Sequence, residues 1–455
     1  MYHQFNVMKI KNKILFYSGL ILFFLYCNPL SAQKTFTLQE CIDYALEHSY
    51  EVKQKMLDKE SKSIQLQTTK KSIAPSLGAN VGQNFDFGRS TLANNMTENT
   101  TQATTSFGVG LSMDLFQGLR THHQIISDKL NLEATLLDIE SAKENIELMV
   151  TANYLQILLN KEILEMFKTQ VIMSQEQVDR IQVLVNNGKS SEAEWYAAKS
   201  TLASDQLSVV EAQNAVRLAI LELAQLMNYP DVANFDVASE SKSSVDEILD
   251  NTIEVGTVVE AALTNRPAIK AAHTRIELAN RSIKIYQSGW YPTLSFSASL
   301  GTGYFYNFNN DVVGMPANKP FGTQFKNLAK ESLGVSLFIP IFDRLSTHYQ
   351  VKQQKINVRA QELQLEETKR RLIKEIEQAY TNALASKEKY LASQVAHSAS
   401  RIAFEYEDIK YKVGSSTNYE FNEAKNKYLK AQSNLIQAKF DFLFRIMILE
   451  FYGKN

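Results

Sequence analysis

The chain repeats itself, and this repeat restricts the possible folds more than any local motif does. Residues 105–124, TSFGVGLSMDLFQGLRTHHQ, align with residues 331–350, ESLGVSLFIPIFDRLSTHYQ, at a separation of 226 positions. Upstream the separation is 217, which places a nine-residue insertion in the second copy, between Pro292 and Ser332. An internal repeat of this kind indicates two copies of one supersecondary unit. We therefore expect the same succession of elements in each half of the chain.

Each copy contains one unusually long helical run. Neither glycine nor proline occurs from Leu119 to Asn187 or from Ile341 to Val413, and apolar or small residues recur there at helical spacing. At 1.5 Å per residue, a helix of about 68 residues is about 100 Å long. Helices of this length coil against neighbours or form tubes. Each copy is predicted to contain a helix, two strands joined by a loop, a long helix, a turn and a further helix.

Four segments alternate between apolar and polar residues with a period of two. Their length of about 10–13 residues suits tilted strands that cross a bilayer, and a half-buried soluble sheet is the alternative. Four strands cannot close a barrel, and open edges in lipid leave backbone groups without hydrogen bonds. Three chains would supply twelve strands, so we predict a homotrimeric transmembrane β-barrel in contact with outer-membrane lipid. The predicted apolar faces comprise Leu77, Ala79, Val81, Phe85 and Phe87; Phe107, Val109, Leu111, Met113 and Leu115; Leu294, Phe296, Ala298 and Leu300; and Leu333, Val335, Leu337, Ile339 and Ile341.

The first 32 residues have the pattern of an export signal. Three lysines precede an apolar run that is too short to span a bilayer, and Ser31-Ala32 offers a cleavage site. The bulky Tyr26 before Cys27 argues against lipid attachment at that cysteine. The predicted mature chain then keeps only Cys41, which excludes an internal disulfide. The remaining domains are predicted to be a first repeat (33–229), a connector that forms part of a belt (230–256) and a second repeat (257–455).

The composition argues against a nucleic-acid partner and against an enzyme. The net charge is −1, so bulk positive charge does not favour a nucleic-acid surface. His122, His123 and His348 follow predicted strands without an acidic ligand set of recognised spacing. Nucleotide-binding and nucleophile motifs are also missing from the sequence. We therefore predict no catalytic site, no bound metal and no cofactor.

The doubled plan, the proline-led strands and the stretch VGSSTNYEFNEA at 413–424 resemble the TolC family of outer-membrane efflux proteins. The resemblance implies a trimeric twelve-stranded barrel in the outer membrane of a Gram-negative bacterium, continued by a helical tunnel in the periplasm. It also implies a passive exit duct for tripartite efflux or type I secretion. The expected partners are a periplasmic adaptor (membrane fusion) protein and an inner-membrane transporter of the RND, ABC or MFS class. The sequence indicates neither the cargo nor the class of pump.

The resemblance assigns a pore-selectivity role to Glu420 and Glu423, which match two acidic positions of the family. They lie three residues apart, on one face of a helix. A trimer would bring six carboxylates near its axis, which favours cations and raises some of their pKa values by crowding. The alternative is that both carboxylates only solvate a helix face.

The resemblance also assigns a periplasmic gate to Tyr411 and Glu194. Ser416 stands where the family has an arginine, so that charge link is absent, and Lys412 or Lys189 is a candidate substitute. The adaptor is expected to dock at the two helical turns, where glycine permits the left-handed conformation that ends a helix. The residues assigned to docking are Gly188, Lys189, Val413, Gly414 and Ser415. The alternative function is a periplasmic or surface coiled-coil protein without channel activity.

Overall fold

The structure is a computed structural model and describes four stretches of the chain. The predicted signal peptide, 1–32, lies outside them together with Cys27, and so does most of the predicted connector. No helix in the described part combines the length and the low polarity that crossing a bilayer requires. The described stretches are residues 34–91, 97–238, 254–308 and 318–453.

Helices dominate the described residues, as the glycine-poor and proline-poor sequence predicts. Apart from the short strands β1 and β4 of the first half and the short helix α7 of the second, the two halves share one order of elements: two helices, two strands, a very long helix and a second long helix. The first half comprises β1 (Lys34–Phe36), α1 (Leu38–His48), α2 (Tyr50–Lys71), β2 (Ser76–Thr91), β3 (Thr97–Gln117), α3 (Arg120–Asn186), α4 (Glu192–Leu226) and β4 (Phe235–Val237). The second half comprises α5 (Val255–Asn265), α6 (Pro267–Gln287), β5 (Thr293–Asn307), α7 (Phe321–Asn327), β6 (Lys330–Phe338), α8 (Ser346–Lys412) and α9 (Asn418–Gly453).

The two longest helices, α3 and α8, have 67 residues each. Helix α3 begins one residue after the predicted start. Helix α8 begins five residues later than predicted, because Arg344 and Leu345 adopt left-handed φ values of 58° and 63°. The Asp343 carboxylate then accepts a hydrogen bond from the Thr347 backbone N–H at 2.7 Å and so satisfies a donor in the first turn.

Four strands form one antiparallel sheet in the order β2-β3-β5-β6. The central pair, β3 and β5, joins the first half of the chain to the second, with Val109 opposite Leu300. Strands β2, β3 and β5 have 16, 21 and 15 residues, longer than predicted, whereas β6 has nine and ends before Ile339. The sheet is open among the described residues, and closure by other chains stays a prediction.

The described chain divides into two compact units. The first, built from residues up to 49, 144–253 and 379–451, contains the parallel pair of β1 and β4. The Tyr154 hydroxyl donates to the Ala238 carbonyl oxygen at 2.7 Å beside this pair. An aromatic cluster packs there, formed by Phe36, Tyr44, Tyr229 and Phe235. Strand β4, at the start of the predicted connector, is therefore held beside β1, at the start of the described chain.

The second unit contains the sheet and the helices that border it in sequence. Ile269, Ala272 and Leu365 form a buried apolar cluster between α6 and α8. The Arg275 guanidinium contacts both carboxylate oxygens of Asp138 at 2.6 and 2.5 Å, which ties α6 to α3. Both contacts come from the same guanidinium nitrogen, Nη2. Hydrogen bonds between charged groups are about twice as strong as those between neutral groups.

Candidate gate at the helical tips

The first compact unit contains the turn ends of two helical hairpins, formed by α3 from residue 144 with α4 and by α8 from residue 379 with α9. Each hairpin has a glycine in its turn. Gly188 and Gly414 have φ values of 66° and 79°, the left-handed region that glycine adopts freely. In each turn the residue after the glycine donates its N–H to a carbonyl five residues earlier: Lys189 to Leu184 at 2.8 Å and Ser415 to Lys410 at 2.9 Å. This hydrogen bond is the signature of a Schellman motif, which satisfies the last carbonyls of the helix.

The turns present their side chains to solvent. Lys189, Val413 and Ser415 are exposed, and Val413 is 74% exposed although its side chain is apolar. A Cβ atom added at Gly188 or Gly414 would meet no heavy atom within 4 Å. The glycines are therefore required by backbone conformation rather than by close packing. The surface of the two turns is therefore accessible to another protein.

Glu420 takes part in a capping box at the start of α9. The Thr417 N–H donates to Glu420 Oε2 at 2.9 Å, and the Glu420 N–H donates to Thr417 Oγ1 at 3.2 Å. The two groups thus satisfy each other's free backbone donors. These bonds from Thr417, with one from the Ser416 hydroxyl, lower the pKa of Glu420 below its ordinary value. Within one protomer this direction is opposite to the rise that we expect from crowding in a trimer.

The corresponding glutamate of the first hairpin, Glu194, has a similar position. Ser191 is the N-cap of α4 and accepts a hydrogen bond from the Glu194 N–H at 3.3 Å. The Ser190 hydroxyl donates to the Glu194 carboxylate. Both glutamates follow an N-cap hydroxyl by three residues, in the S-x-x-E and T-x-x-E spacings. Of the two carboxylates, that of Glu420 accepts the backbone N–H of its N-cap residue, whereas that of Glu194 is bound to the Ser190 hydroxyl.

Glu423 lies one turn further along the exposed face of α9. Its carboxylate is 2.6 Å from the Lys427 ammonium, and both side chains are largely exposed. The two glutamates assigned to pore selectivity thus share a solvent-facing surface, while the opposite face of α9 buries Phe421, Lys425 and Leu429. A charged stripe of this geometry can line a pore if several chains surround it.

Tyr411 lies in the last turn of α8 and contacts residues of α3 and α9. Its ring stacks on Phe421 of α9 with ring centroids 4.6 Å apart, and the Arg180 guanidinium of α3 lies 5.8 Å from the ring centre. Burial raises the pKa of Tyr411. A hydrogen bond with Gln177 and the charge of Arg180 act in the opposite direction, and Glu194 of α4 raises it further. The structure therefore brings Tyr411 and Glu194 into one electrostatic environment.

Gln177 and Arg180 were not predicted as site residues. Gln177 is buried and also donates to the Asn418 side chain of α9 at 2.5 Å, so it connects the first hairpin to the second. Arg180 supplies a cation next to Tyr411 from α3 rather than from the position of Ser416. In the sequence, Gln177 and Arg180 are marked only by their spacing of three residues and by the apolar residues that follow each of them, Val178 and Ile181.

The lysines considered as substitutes for the missing arginine have other surroundings. The Lys412 ammonium lies 2.5 Å from the Asp408 carboxylate of its own helix. Lys189 forms no ion pair with any residue that the structure describes. The Ser416 hydroxyl donates to the Glu407 carboxylate, so the position that corresponds to the family arginine supplies a hydrogen bond but no positive charge.

The histidines after the strands do not assemble into a metal centre within the described ranges. His122 and His123 have ring centroids 5.6 Å apart. No group of three or more histidine, cysteine, aspartate or glutamate side chains in the described part of the chain is placed to hold a metal ion.

Two long helical hairpins and one four-stranded antiparallel sheet define the fold of this chain. Crystal structures with the same fold superimpose on it. CusC gives a TM-score of 0.75 with 15% identity, covering 92% of both chains. VceC from Vibrio cholerae gives a TM-score of 0.74 with 16% identity, covering 92% of this chain and 96% of its own. These likenesses establish the fold.

The model of the family "outer membrane efflux protein" matches residues 41–229 and 258–443, and the chain belongs to that family. A curated relative is the outer membrane protein TolC of Escherichia coli K12. It is 21% identical over 399 residues, which are 86% of this chain and 77% of the relative. Family membership places the protein in the outer membrane, with its helices in the periplasm, and assigns it to efflux.

Proposed function

We propose that the protein is the passive exit duct of a tripartite efflux or type I secretion system, closed at its periplasmic tips until an adaptor docks. The observation that supports this most is the set of contacts around Tyr411. There, residues of α3, α8 and α9 are in contact in the last turn before Gly414, and the charge of Glu194 in α4 acts on Tyr411. This arrangement suits a gate. A protein that binds the turns and moves them would also change the neighbouring contacts between the helices.

The proposal includes assembly as a homotrimer. The outer edges of β2 and β6 have no partner strand among the described residues, and unpaired backbone groups in lipid are strongly unfavourable. Pairing β2 of one chain with β6 of the next would satisfy both edges, and three chains would give twelve strands around a pore. The proposal also retains the predicted division of the mature chain at 33–229, 230–256 and 257–455.

The remaining partners follow from the same proposal. An adaptor would contact Gly188, Lys189, Val413, Gly414 and Ser415, and an RND, ABC or MFS transporter would supply cargo and energy. Glu420 and Glu423 would line the mouth and favour cations. Tyr411 and Glu194 would belong to the gate.

The test is ion selectivity in planar bilayers. Replacing Glu420 and Glu423 together with Gln removes both charges, while glutamine at position 420 can still close the capping box. We expect the cation preference of the channel to fall and block by multivalent cations to weaken. Glu405→Gln is the matched control, because Glu405 is an exposed partner of Arg401 at 3.2 Å within α8.

Unchanged selectivity would remove the assignment of the two glutamates, and a protein that forms no channel would refute the duct. A coiled-coil protein without channel activity predicts soluble rods in the periplasmic fraction. The duct predicts heat-modifiable trimers in outer-membrane fractions.

A further inference from the structure

A buried charge cluster lies between the two hairpins of the first unit. Lys425 of α9 is 1% exposed, Asp205 of α4 is 6% exposed and Ser174 of α3 is 1% exposed. The Lys425 ammonium is 3.3 Å from Asp205 Oδ2 and donates to the Ser174 hydroxyl. Ser174 in turn donates to Asp205, and Gln170 donates to the other carboxylate oxygen at 2.6 Å. One lysine of the second hairpin is thus held by both helices of the first.

The internal repeat shows that this burial is not a general property of the hairpin. Lys199 of α4 is the residue that matches Lys425 at the separation of 226 positions. Lys199 is exposed, and its ammonium lies 3.7 Å from the centre of the Trp195 ring in its own helix. Of these two lysines, Lys425 alone is buried between helices and pairs there with a carboxylate.

The position of Lys425 links the cluster to the tip. Lys425 follows Glu423 by two residues and belongs to the buried face of α9, together with Phe421. Any movement of α9 away from α3 and α4 would separate a buried ammonium from its only carboxylate partner in the described cluster. An unpaired charge in a low-dielectric interior is strongly unfavourable, so intermediate separations are disfavoured. Two arrangements remain: a paired, buried state and a separated state in which water hydrates both charges.

We propose that Lys425, Asp205 and Ser174 form a latch that holds the second tip hairpin against the first and keeps the mouth closed. This inference rests on the proposed function, because it assumes a mouth that opens. Lys425 acts here as a positioning residue: it fixes α9, and α9 carries Glu420 and Glu423. The best-attested role of buried polar or ionic pairs is to select one arrangement of helices among several, rather than to add stability.

The experiment measures the conductance of the closed channel in planar bilayers for Asp205→Asn, Lys425→Met and the double variant. Each single change leaves one buried charge without its partner. We expect the closed-state conductance to rise at least about tenfold, because breaking a buried pair shifts an equilibrium by more than one decade. The double variant contains neither charge, and its conductance is expected to return towards that of the wild type.

Glu162→Gln is the matched control. Glu162 of α3 pairs with Lys439 of α9 at the same distance of 3.3 Å, but both side chains are partly exposed. Removing an exposed pair has little effect on stability, so this variant is expected to stay closed. Thermal unfolding of each variant trimer is measured in parallel, to separate lost stability from altered opening.

The latch is refuted if the single variants lower the unfolding temperature but conduct like the wild type, or if the double variant conducts as much as either single variant. If the single variants do not assemble, Ser174→Ala decides, because it removes one hydrogen bond and leaves both charges. Wild-type conductance of Ser174→Ala would then refute the latch. If the wild-type protein forms no channel, the proposed function fails and the latch fails with it. A wild-type channel with unaffected variants refutes the latch alone.

Discussion

The ring of Tyr411 stacks on the ring of Phe421 with centroids 4.6 Å apart and planes inclined by 24°. This contact joins the last turn of α8 to the first turn of α9 across the glycine turn. Aromatic pairs of this geometry contribute about 0.5–1.5 kcal/mol beyond the area that they bury. The tip is therefore an ordered hairpin end, and its contacts can be altered one at a time.

Tyr411→Phe removes the hydroxyl that bonds Gln177 and keeps the ring on Phe421. We expect a loss of about 0.5–1.5 kcal/mol in the stability of the closed tip, the usual contribution of one hydrogen bond. Closed-state conductance should rise with it, which bilayer recordings would measure. Tyr419→Phe is the control, because Tyr419 is 77% exposed. Equal effects of the two changes would show that the Tyr411 hydroxyl has no special role.

Lowering the pH should loosen the start of α9 through Glu420. Its pKa is lowered in the fold, so its stabilising effect is present above the ordinary glutamate pKa of about 4.3 and is lost as the pH falls through the lower, folded value. Hydrogen exchange of residues 413–424 between about pH 6 and pH 3 would measure this. Glu420→Gln keeps the cap but does not titrate, so its protection should depend less on pH. Parallel curves for the two proteins would contradict the prediction.

Gly414→Ala should destabilise the second turn although the site has room for a methyl group. The φ of 79° is unfavourable for alanine by about 1–2 kcal/mol. Asparagine tolerates this conformation better, so Gly414→Asn should retain more stability. Thermal unfolding of the two purified variants would compare their stabilities. Equal losses would show that contacts of the side chain, rather than the backbone conformation, decide the effect.

Cys41 should be unreactive in the folded protein. It is fully buried in α1, and burial, with a smaller contribution from Glu40, raises the pKa of its thiol to about 12. The reactive thiolate is therefore scarce at neutral and moderately alkaline pH. A maleimide reagent at pH 8 should label the protein only after denaturation. Ser415→Cys, at an exposed turn, is the positive control, and fast labelling of native wild-type protein would contradict the burial of Cys41.

The sequence predicted the elements whose signals are local. Gly188 and Gly414 mark the ends of α3 and α8 because only glycine adopts their φ values easily, and the alternation of apolar residues located all four strands. The predicted start of α8 was wrong, because the helix begins after the Asp343 cap and not at Ile341, where the run without glycine and proline begins. The pairing of β1 with β4 was missed. Each strand has only three residues, which is too few to show a period-two pattern, and about 200 residues of chain separate them.

The contacts of the candidate gate were less predictable than its location. Tyr411 and Glu194 could be named from a family pattern, but Gln177 and Arg180 depend on which face of α3 meets α8. That rotation is determined by packing along the whole helix and has no signature in a short stretch. The T-x-x-E spacing at Thr417 and Glu420 is a readable signal for a cap, and it gives Glu420 a structural role besides the proposed one in the pore.

The pairing of β3 with β5 has a consequence for assembly. Because one strand from each copy occupies the centre of the sheet, the two free borders are unlike: β2 belongs to the first copy and β6 to the second. A border of one kind can meet only a border of the other kind when identical chains are arranged by rotation in a ring. Every seam between chains then joins second copy to first copy, just as the centre of each chain does. Each chain therefore adds two similar pairs of strands to a closed ring. A ring of three chains would have an approximate six-fold axis in its strands, although its exact symmetry is three-fold.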